Sequence, residues 1–329
     1  MATTPSTTPR AIQAEQYLAP ETLAQIAPFE LRAKMIVEGL MSGMHRSPYQ
    51  GQAVEFAQHR AYVPGDPLRH LDWKVFGRSD KLYLKQYHQE TNLDVVVLVD
   101  GSGSMTYGSL KTKEGWGGTI AGATTGTWTK YDAATALAVA IACLCLGQGD
   151  RIGVAVYADE LRTPLRRSSA RDQWKTIVQT LSTQPVESRA NLVKSAEQAL
   201  GKVTNRALFM VISDFLDDPE AIRSALARFR HRRDDVVLLQ MLDRREILFD
   251  FDAEAPFEGL EGEARIVVEP DAFRGAYLEA LRRQCDAVAA AARSFGFDYL
   301  RLDSHESVGP ALSRLLARRG AQARRGKRS

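Results

Sequence analysis

Two short stretches place acidic and hydroxyl side chains directly after runs of apolar residues. In residues 95–105, VVVLVDGSGSM, Asp100 follows five apolar residues, and two serines then alternate with glycines. In residues 209–218, FMVISDFLDD, Asp214 follows a second apolar run. Carboxylate and hydroxyl oxygens on a tight turn are the hard ligands that Mg²⁺ prefers, and Mg²⁺ also accepts water in several positions. The spacing therefore predicts a cation site formed by Asp100, Ser102, Ser104 and Asp214.

The two acidic residues are predicted to lie side by side. The carboxyl ends of parallel strands meet at one edge of a sheet, and ligands bind there, near the point where the strand order reverses. Two unpaired carboxylates at such a point repel each other, and a divalent cation between them removes that repulsion. Two alternatives stay open: one serine only caps a helix, and Asp214 is only a helix N-cap.

Motifs for acyl and phosphate chemistry fit the first turn less well. A nucleophile elbow needs a glycine two residues before its serine. Asp100 stands two residues before Ser102, and Ser102 stands two residues before Ser104. A dinucleotide fingerprint needs a glycine where Thr106 stands, and the Gly-Lys-Ser/Thr sequence of a Walker A loop is absent. A phosphatase of the haloacid dehalogenase type needs a second aspartate where Ser102 stands.

We therefore predict that the protein is not an enzyme. The enzymatic alternative is a metal-dependent phosphohydrolase with Asp100 as its nucleophile and a metal bound through Asp214, Asp217 or Asp218. The missing second aspartate and the absence of a suitably placed lysine in the sequence pattern argue against that alternative. A binding module is the prediction that the turn residues favour.

Short apolar runs alternate with amphipathic stretches from residue 94 onward. The runs are residues 95–99, 152–156, 207–212, 236–242 and 297–302. The helical stretches are residues 131–147, 171–182, 191–203, 218–230 and 271–295. Such strands alternating with helices are typical of a mainly parallel sheet with helices on both faces. The pattern predicts an α/β fold, preceded by a further strand at 82–87.

Four segments are predicted along the chain. Residues 1–16 are rich in Thr, Pro and Ala and are predicted to be disordered, and residues 17–92 form an N-terminal extension. Residues 93–305 form the α/β domain. Residues 306–329 form a helix end and a basic tail, because seven Lys and Arg residues and no acidic residue follow Glu306.

The composition is that of an ordinary soluble globular protein. Hydrophobic residues make up 44% of the chain and charged residues 25%, and three cysteines are too few for a disulfide framework. No apolar stretch reaches the roughly 18 residues needed to span a bilayer, and residues 133–146 are predicted to be a buried helix. The basic tail is interpreted as a solvated terminus, so nucleic-acid binding is not expected. These features predict a cytoplasmic protein without a membrane span.

The residues of both turns resemble the von Willebrand factor A fold. DGSGSM, residues 100–105, matches the Asp-x-Ser-x-Ser element of its metal-ion-dependent adhesion site (MIDAS), and VISD, residues 211–214, matches the loop with the second aspartate. More closely, the chain resembles the bacterial family called domain of unknown function 58 over about residues 30–305. Residues 43–91 and 144–159 carry most of that resemblance.

The resemblance implies a von Willebrand factor A-like, Rossmann-like sheet that is mostly parallel and flanked by helices, with an N-terminal helical and β extension. It also implies that both serines bind a metal directly and that both aspartates bind it directly or through water. The remaining position of the site is a threonine, and Ala190 stands there. Either Asn191 or water substitutes for it, or the protein is a metal-free scaffold. The expected ion is Mg²⁺, with Mn²⁺ or Ca²⁺ as alternatives.

The resemblance further implies a protein partner. Proteins of this family are commonly encoded beside MoxR-type AAA+ ATPases and are thought to act with them as adaptors or chaperone-like components. Many relatives carry transmembrane helices, and this chain resembles the soluble branch. An acidic side chain of a protein ligand is expected to complete the metal site. Candidate residues for partner contacts are Trp73 and Arg78, and, in the Gly-rich insert at 106–130, Trp116 and Trp128.

Overall fold

The structure is a computed structural model that describes residues 56–61, 75, 77–78, 82–87, 94–112, 119–251, 255–257, 259–261, 266–268 and 270–307. The chain divides into two compact units, one formed by Ser47–Asn92 and the other by Met1–Arg46 with Leu93–Ser329. In the smaller unit, β1 (Phe56–Ala61) pairs antiparallel with β2 (Tyr83–Tyr87), where the strand at 82–87 was predicted. The predictions for residues 1–16 and for the basic tail lie outside the described residues.

A five-stranded parallel sheet forms the centre of the larger unit. Its strands are β3 (Asp94–Asp100), β6 (Arg151–Tyr157), β7 (Leu208–Ser213), β8 (Asp235–Leu242) and β11 (Asp298–Asp303), in the order β11-β8-β7-β3-β6. Each strand agrees with a predicted apolar run to within one residue, so the α/β prediction is confirmed. The chain runs outward from β3 to β6 and then returns to β7 on the other side of β3. The order therefore reverses between β3 and β7, which is where such sheets bind ligands.

Helices and short hairpins connect these strands. The helices are α1 (Ile120–Thr125), α2 (Lys130–Gln148), α3 (Gln173–Thr183), α4 (Leu192–Lys202), α5 (Pro219–His231), α6 (Arg244–Leu248) and α7 (Pro270–Ser294). A 3₁₀ turn spans Gly103–Thr106. Two small antiparallel pairs join β4 (Leu110–Lys111) to β5 (Thr127–Trp128), and β9 (Ala255–Phe257) to β10 (Ile266–Val268).

Alternate residues of the central strand face two separate apolar layers, because successive side chains of a strand point to opposite faces. On one face, Val95, Val97 and Val99 belong to a buried cluster with residues of α2 and α3. On the other face, Val96 and Leu98 belong to a cluster with residues of α4, α5 and α7. Each large apolar side chain contributes about 1.5–3 kcal/mol when fully buried. The sheet is thus held rigidly between two helical layers, and its strand ends are fixed in position.

Helix α2 is apolar around most of its circumference. It begins with a capping box between Thr129 and Asp132, and its C-cap is Gly149, whose φ is 82°. Among the described residues it is the one helix long and apolar enough to cross a membrane, with a mean hydropathy of 1.5 over 18 residues, but 72% of that window is buried in the fold. The sequence predicted a shorter apolar stretch here and a buried helix. Helices that are apolar on all sides are also found in protein cores.

Asp243 joins three segments at the carboxyl edge of the sheet. It follows β8 and is fully buried. Its carboxylate accepts hydrogen bonds from the Ser109 hydroxyl at 2.6 Å and from the Ser304 hydroxyl at 3.0 Å, and the His305 ring lies 3.3 Å away. Burial by itself raises the pKa of Asp243, but the hydrogen bonds from His305 and Ser109 outweigh it and hold that pKa well below 3.8. The ends of β8 and β11 are therefore joined through one charged group.

We expect Asp243→Asn to lower the free energy of unfolding by about 2–3 kcal/mol at pH 7, because hydrogen bonds to a buried charge are lost. A folded-state pKa below the unfolded value gives stability that is present above about pH 4 and disappears as the pH falls further. The difference between wild type and variant should therefore shrink below that pH. Urea unfolding from pH 7 to pH 3 measures it.

The control for this experiment is Asp235→Asn at the opposite end of β8. Asp235 is 56% exposed and pairs with Arg206 at 3.1 Å. An exposed ion pair contributes less than about 1 kcal/mol. Equal effects of the two substitutions, or a difference that does not change with pH, would contradict the role of Asp243.

Candidate functional site

Asp100 lies at the point where the strand order reverses, and it is fully buried. Its Oδ1 atom accepts a hydrogen bond from the backbone N–H of Ser102 at 2.8 Å. Its Oδ2 atom accepts one from the Ser213 hydroxyl at 2.6 Å and a longer one, at 3.4 Å, from the Tyr157 hydroxyl. Ser213 ends β7 and Tyr157 ends β6, so both neighbouring strands hold this carboxylate in place.

The residue across from Asp100 is Ser213 and not the predicted Asp214. Val99 pairs with Ile212, which brings Ser213 level with Asp100. The charge of Asp214 nevertheless acts on Asp100. Burial and, second, Asp214 raise the pKa of Asp100 to about 6, although hydrogen bonds from Ser213 and Ser102 oppose the shift. The two acidic residues are close enough to interact, but a hydroxyl group occupies the position next to Asp100.

The two hydroxyl groups of the first turn lie together as predicted from their spacing. The Ser102 and Ser104 Oγ atoms are 3.2 Å apart; Ser102 is buried and Ser104 is partly exposed. Both glycines of the turn are required by close packing. A Cβ atom at Gly101 would lie 2.7 Å from Val156, and one at Gly103 would lie 2.3 Å from the carbonyl oxygen of Leu260. The tightly packed turn therefore holds one carboxylate and two hydroxyl groups.

Asp214 is paired with a lysine of the same chain. The Lys130 ammonium group donates to Asp214 Oδ2 at 2.8 Å and to Glu246 Oε1 at 2.7 Å. The side chains of Lys130 and Asp214 are only 1% and 4% exposed. This contact corrects two predictions. Asp214 is not a free metal ligand, and a lysine does lie beside the strand-end acidic residues.

More acidic groups surround the hydroxyl pair than the sequence pattern indicated. Glu261 Oε1 accepts a hydrogen bond from the backbone N–H of Ser104 at 3.3 Å. Burial, followed by the charges of Asp100, Asp214 and Glu261, raises the pKa of Asp217 to about 7. Asp217 was predicted as a metal ligand only in the phosphohydrolase alternative. A carboxyl pKa raised in this way indicates that negative charge at this edge is not fully balanced.

The Asn191 side chain, predicted to replace the missing threonine, has another role in the structure. Its oxygen accepts a hydrogen bond from the backbone N–H of Lys194 at 3.0 Å and caps α4. The segment that contacts the first turn comes earlier in the loop. Gly103 donates its N–H to the Ser188 carbonyl at 2.8 Å, and Glu187 donates to the Gly101 carbonyl at 2.9 Å. Backbone groups, and not the Asn191 amide, face the turn.

Trp128 was predicted to contact a partner, and this prediction is wrong. Its side chain is 2% exposed in the core, and its indole N–H donates to the Ser304 carbonyl at 3.2 Å. The pairing of β4 with β5 and the following helix α2 place this end of the insert inside the fold. Arg78 is exposed in the smaller unit, and its contact with a partner stays a prediction. Trp73 and Trp116 lie outside the described residues.

One group of side chains resembles a catalytic triad in composition but not in geometry. The Ser109 hydroxyl lies 3.0 Å from His305 Nε2 and donates to Asp243 at 2.6 Å. In a working triad the acid holds the ring nitrogen that faces away from the serine. Here Asp243 contacts the same Nε2 atom that faces Ser109. The group therefore stabilises the fold, and no activated nucleophile follows from it.

The acidic groups alone do not form a metal centre. Among the described residues, no group of three or more His, Cys, Asp or Glu side chains is arranged to hold a metal ion. A cation here would need the hydroxyls of Ser102 and Ser104 and several waters, as Mg²⁺ accepts. Of the five predicted ligands, three converge, namely Asp100 and the two serines. Asp214 and Asn191 are engaged elsewhere.

Several solved structures are similar to this chain, among them the following three. The conserved hypothetical protein BatB from Bacteroides thetaiotaomicron is 17% identical, with 69% of this chain and 98% of that chain covered and a TM-score of 0.42. An aerotolerance-related membrane protein from Bacteroides fragilis is 16% identical, with 68% and 97% covered and a TM-score of 0.40. The SpRpn10 VWA domain is 12% identical, with 68% and 95% covered and a TM-score of 0.39.

The predicted cytoplasmic location is wrong on this comparison. The Bacteroides fragilis structure carries the description of a membrane protein. We therefore withdraw the cytoplasmic location.

Uncharacterized proteins of Mycobacterium tuberculosis and Mycobacterium bovis are also similar to the chain. They are 26% identical over 231 residues, which cover 69% of this chain and 67% of theirs. The family model described as "Protein of unknown function DUF58" matches residues 58–287, which is more than half of the chain. The resemblance inferred from the long N-terminal signature and the strand-end turns is thus confirmed, and the chain belongs to the DUF58 family.

Proposed function

We propose that this protein is a non-catalytic module that binds another protein at the carboxyl edge of its sheet, with a divalent cation at the centre of the contact. One observation carries the proposal. The buried Asp100 carboxylate lies beside a pair of hydroxyls 3.2 Å apart, at the point where the strand order reverses. The described residues around it form no complete catalytic arrangement.

The three converging residues suit a small hard cation. Neighbouring ligands of an octahedral Mg²⁺ ion, each at about 2.1 Å, lie about 3 Å apart, and the two Oγ atoms have nearly this separation. Asp100, Ser102 and Ser104 would hold the ion, and Mn²⁺ or Ca²⁺ could replace Mg²⁺. Such an ion would supply positive charge to the acidic edge and an open coordination position. An acidic side chain of the partner would occupy that position.

The rim of the site offers apolar surface for the same partner. Leu216 is 47% exposed and follows Asp214 by two residues, while Leu260 is 48% exposed and precedes Glu261. The carbonyl of Leu260 packs against Gly103, so this residue lies beside the turn. Protein interfaces commonly surround a polar contact with such apolar groups. The proposed contact therefore combines one ion-mediated bond with burial of leucine side chains.

The partner that we propose is an AAA+ ATPase of the MoxR type, with this protein as its adaptor or chaperone-like component. Membership of the family supports the proposal through the gene association implied by the resemblance. A contact centred on one ion suits a motor partner because it is local. Small movements of a loop can therefore make or break it.

Calorimetric titration with MgCl₂ or MnCl₂ tests the cation site. We expect wild type to bind one ion, and Asp100→Ala to bind it at least about tenfold more weakly, because the only charged ligand is lost. Ser104→Ala should weaken binding less. Asp235→Ala, at the opposite end of the sheet, is the matched control and should bind as wild type does. Equal heats for wild type and Asp100→Ala would exclude a metal at this position.

Affinity purification from the native host tests the partner. A MoxR-type ATPase should co-purify with wild type in Mg²⁺, and the yield should fall when the metal is chelated and when Asp100 is replaced by Ala. Asp235→Ala should retain the partner. Co-purification that survives both chelation and Asp100→Ala would favour the metal-free scaffold, which Ala190 suggested.

The phosphohydrolase is the second candidate, and the position of Lys130 is the observation that favours it. Sites that transfer phosphoryl groups use a lysine to stabilise charge. Ser102, however, still replaces the second aspartate, and Lys130 is already held by Asp214 and Glu246. We therefore expect no turnover on a panel of phosphomonoesters with Mg²⁺. Turnover by wild type that disappears in Asp100→Asn would overturn the binding-module proposal.

A further inference from the structure

Lys130 occupies an unusual position for a positive charge. It is the first residue of α2, after the N-cap Thr129. The N-terminus of a helix carries partial positive charge, so a cation is unfavourable there and an acidic residue is favourable. Lys130 is nevertheless fully buried, among the largest side chains with almost no exposure. Something other than helix formation must account for this residue.

Two carboxylates account for its charge. Burial by itself lowers the pKa of Lys130, but Asp214 and Glu246 outweigh it and raise that pKa well above the ordinary value. The two carboxylates therefore favour the charged ammonium form of Lys130, which is not an amine nucleophile. Asp214 follows β7 and Glu246 belongs to α6, after β8. Lys130 thus joins two strand ends next to Asp100.

Buried ion pairs are a weak source of stability, because removing both charges from water costs nearly as much as their attraction returns. Their better-supported role is to specify one arrangement of charged groups. At this edge, the arrangement decides which carboxylates remain able to bind another cation. Asp100 keeps only hydroxyl and N–H partners, and Asp214 has a full positive charge at 2.8 Å.

We propose that Lys130 is an internal counter-ion of this site. Its ammonium group pairs with Asp214 and so keeps Asp214 from binding a divalent cation. The pairing thereby lowers the affinity of the site for such ions. The inference rests on the cation site proposed above. It assigns to Lys130 a positioning role, because the residue acts through Asp214. It also explains why only Asp100 and two hydroxyls remain for the ion.

Two double variants with equal net charge test the inference. Both remove Lys130 and one of its two carboxylates, so each has the net charge of wild type. In Lys130→Met with Glu246→Gln, Asp214 is free; in Lys130→Met with Asp214→Asn, it is absent. Titration with MgCl₂ should give at least about tenfold tighter binding for the first variant than for the second, because a carboxylate ligand is released. The second should bind as wild type does.

Three single variants complete the set. Lys130→Arg keeps the positive charge and should keep the wild-type affinity. Asp214→Asn should change the affinity by no more than about threefold, whereas Asp100→Ala should lower it at least about tenfold. Lys130→Met leaves the buried Asp214 and the partly buried Glu246 without their positive charge, so its melting temperature should fall without metal and recover when Mg²⁺ is added. Failure of this variant to fold does not affect the charge-matched pair.

The outcomes separate this inference from the proposed function. Equal Mg²⁺ affinities for the two double variants, or loss of binding in Asp214→Asn as complete as in Asp100→Ala, would overturn the role of Lys130 and leave the cation site intact. Binding by the variant with free Asp214, but not by wild type, would support Lys130 as the internal counter-ion and overturn metal dependence in the native protein. Absence of binding in every variant would overturn both.

Discussion

Every carboxylate buried at the carboxyl edge of this sheet needs compensation for its charge, and the structure supplies it in different ways. Asp100 receives hydroxyl and N–H hydrogen bonds. Asp214 receives an ammonium group, and Asp243 receives several hydrogen bonds together with His305. Asp217, which is only partly buried, receives less, and its pKa rises to about 7. An unbalanced charge away from water favours protonation or the binding of a cation, so the raised pKa values distinguish Asp100 and Asp217 from the other acidic residues named here.

Asp243, at one side of this edge, differs from Asp100 and Asp217 in the direction of its pKa shift. Around β8 and β11, the pKa of Asp243 is lowered, which means that the fold favours its charged form. Around β3, the pKa values of Asp100 and Asp217 are raised, which means that the fold disfavours theirs. Lys130 contacts Asp214 after β7 and Glu246 after β8. Under the proposed function, a cation is expected at the hydroxyl pair beside Asp100 and not at the hydrogen-bonded group around Asp243.

The sequence predicted the sheet and the first turn well because both depend on local signals. Fully apolar runs specify buried strands, and the alternation of Ser with Gly specifies the turn, whose glycines meet neighbouring atoms. Lys130 could not be predicted in the same way, because its partner Asp214 is 84 residues away and a lysine at the start of a helix has no periodic signal. Ser213 was missed because the register between β3 and β7 decides which residue lies beside Asp100. Trp128 was placed outside because a Gly-rich insert resembles an exposed loop.

The departures from the expected adhesion site all act in one direction. Ala190 removes a hydroxyl ligand, Asn191 caps a helix, and Lys130 occupies Asp214, so a bound ion would have fewer protein ligands. An ion held by few ligands gains more from a partner's carboxylate than one that is already well coordinated. Because binding linkage is reciprocal, the partner would raise the affinity for the ion by the same factor by which the ion raises the affinity for the partner. A weak metal site is therefore compatible with the proposed metal-dependent contact, since ion and partner would bind together.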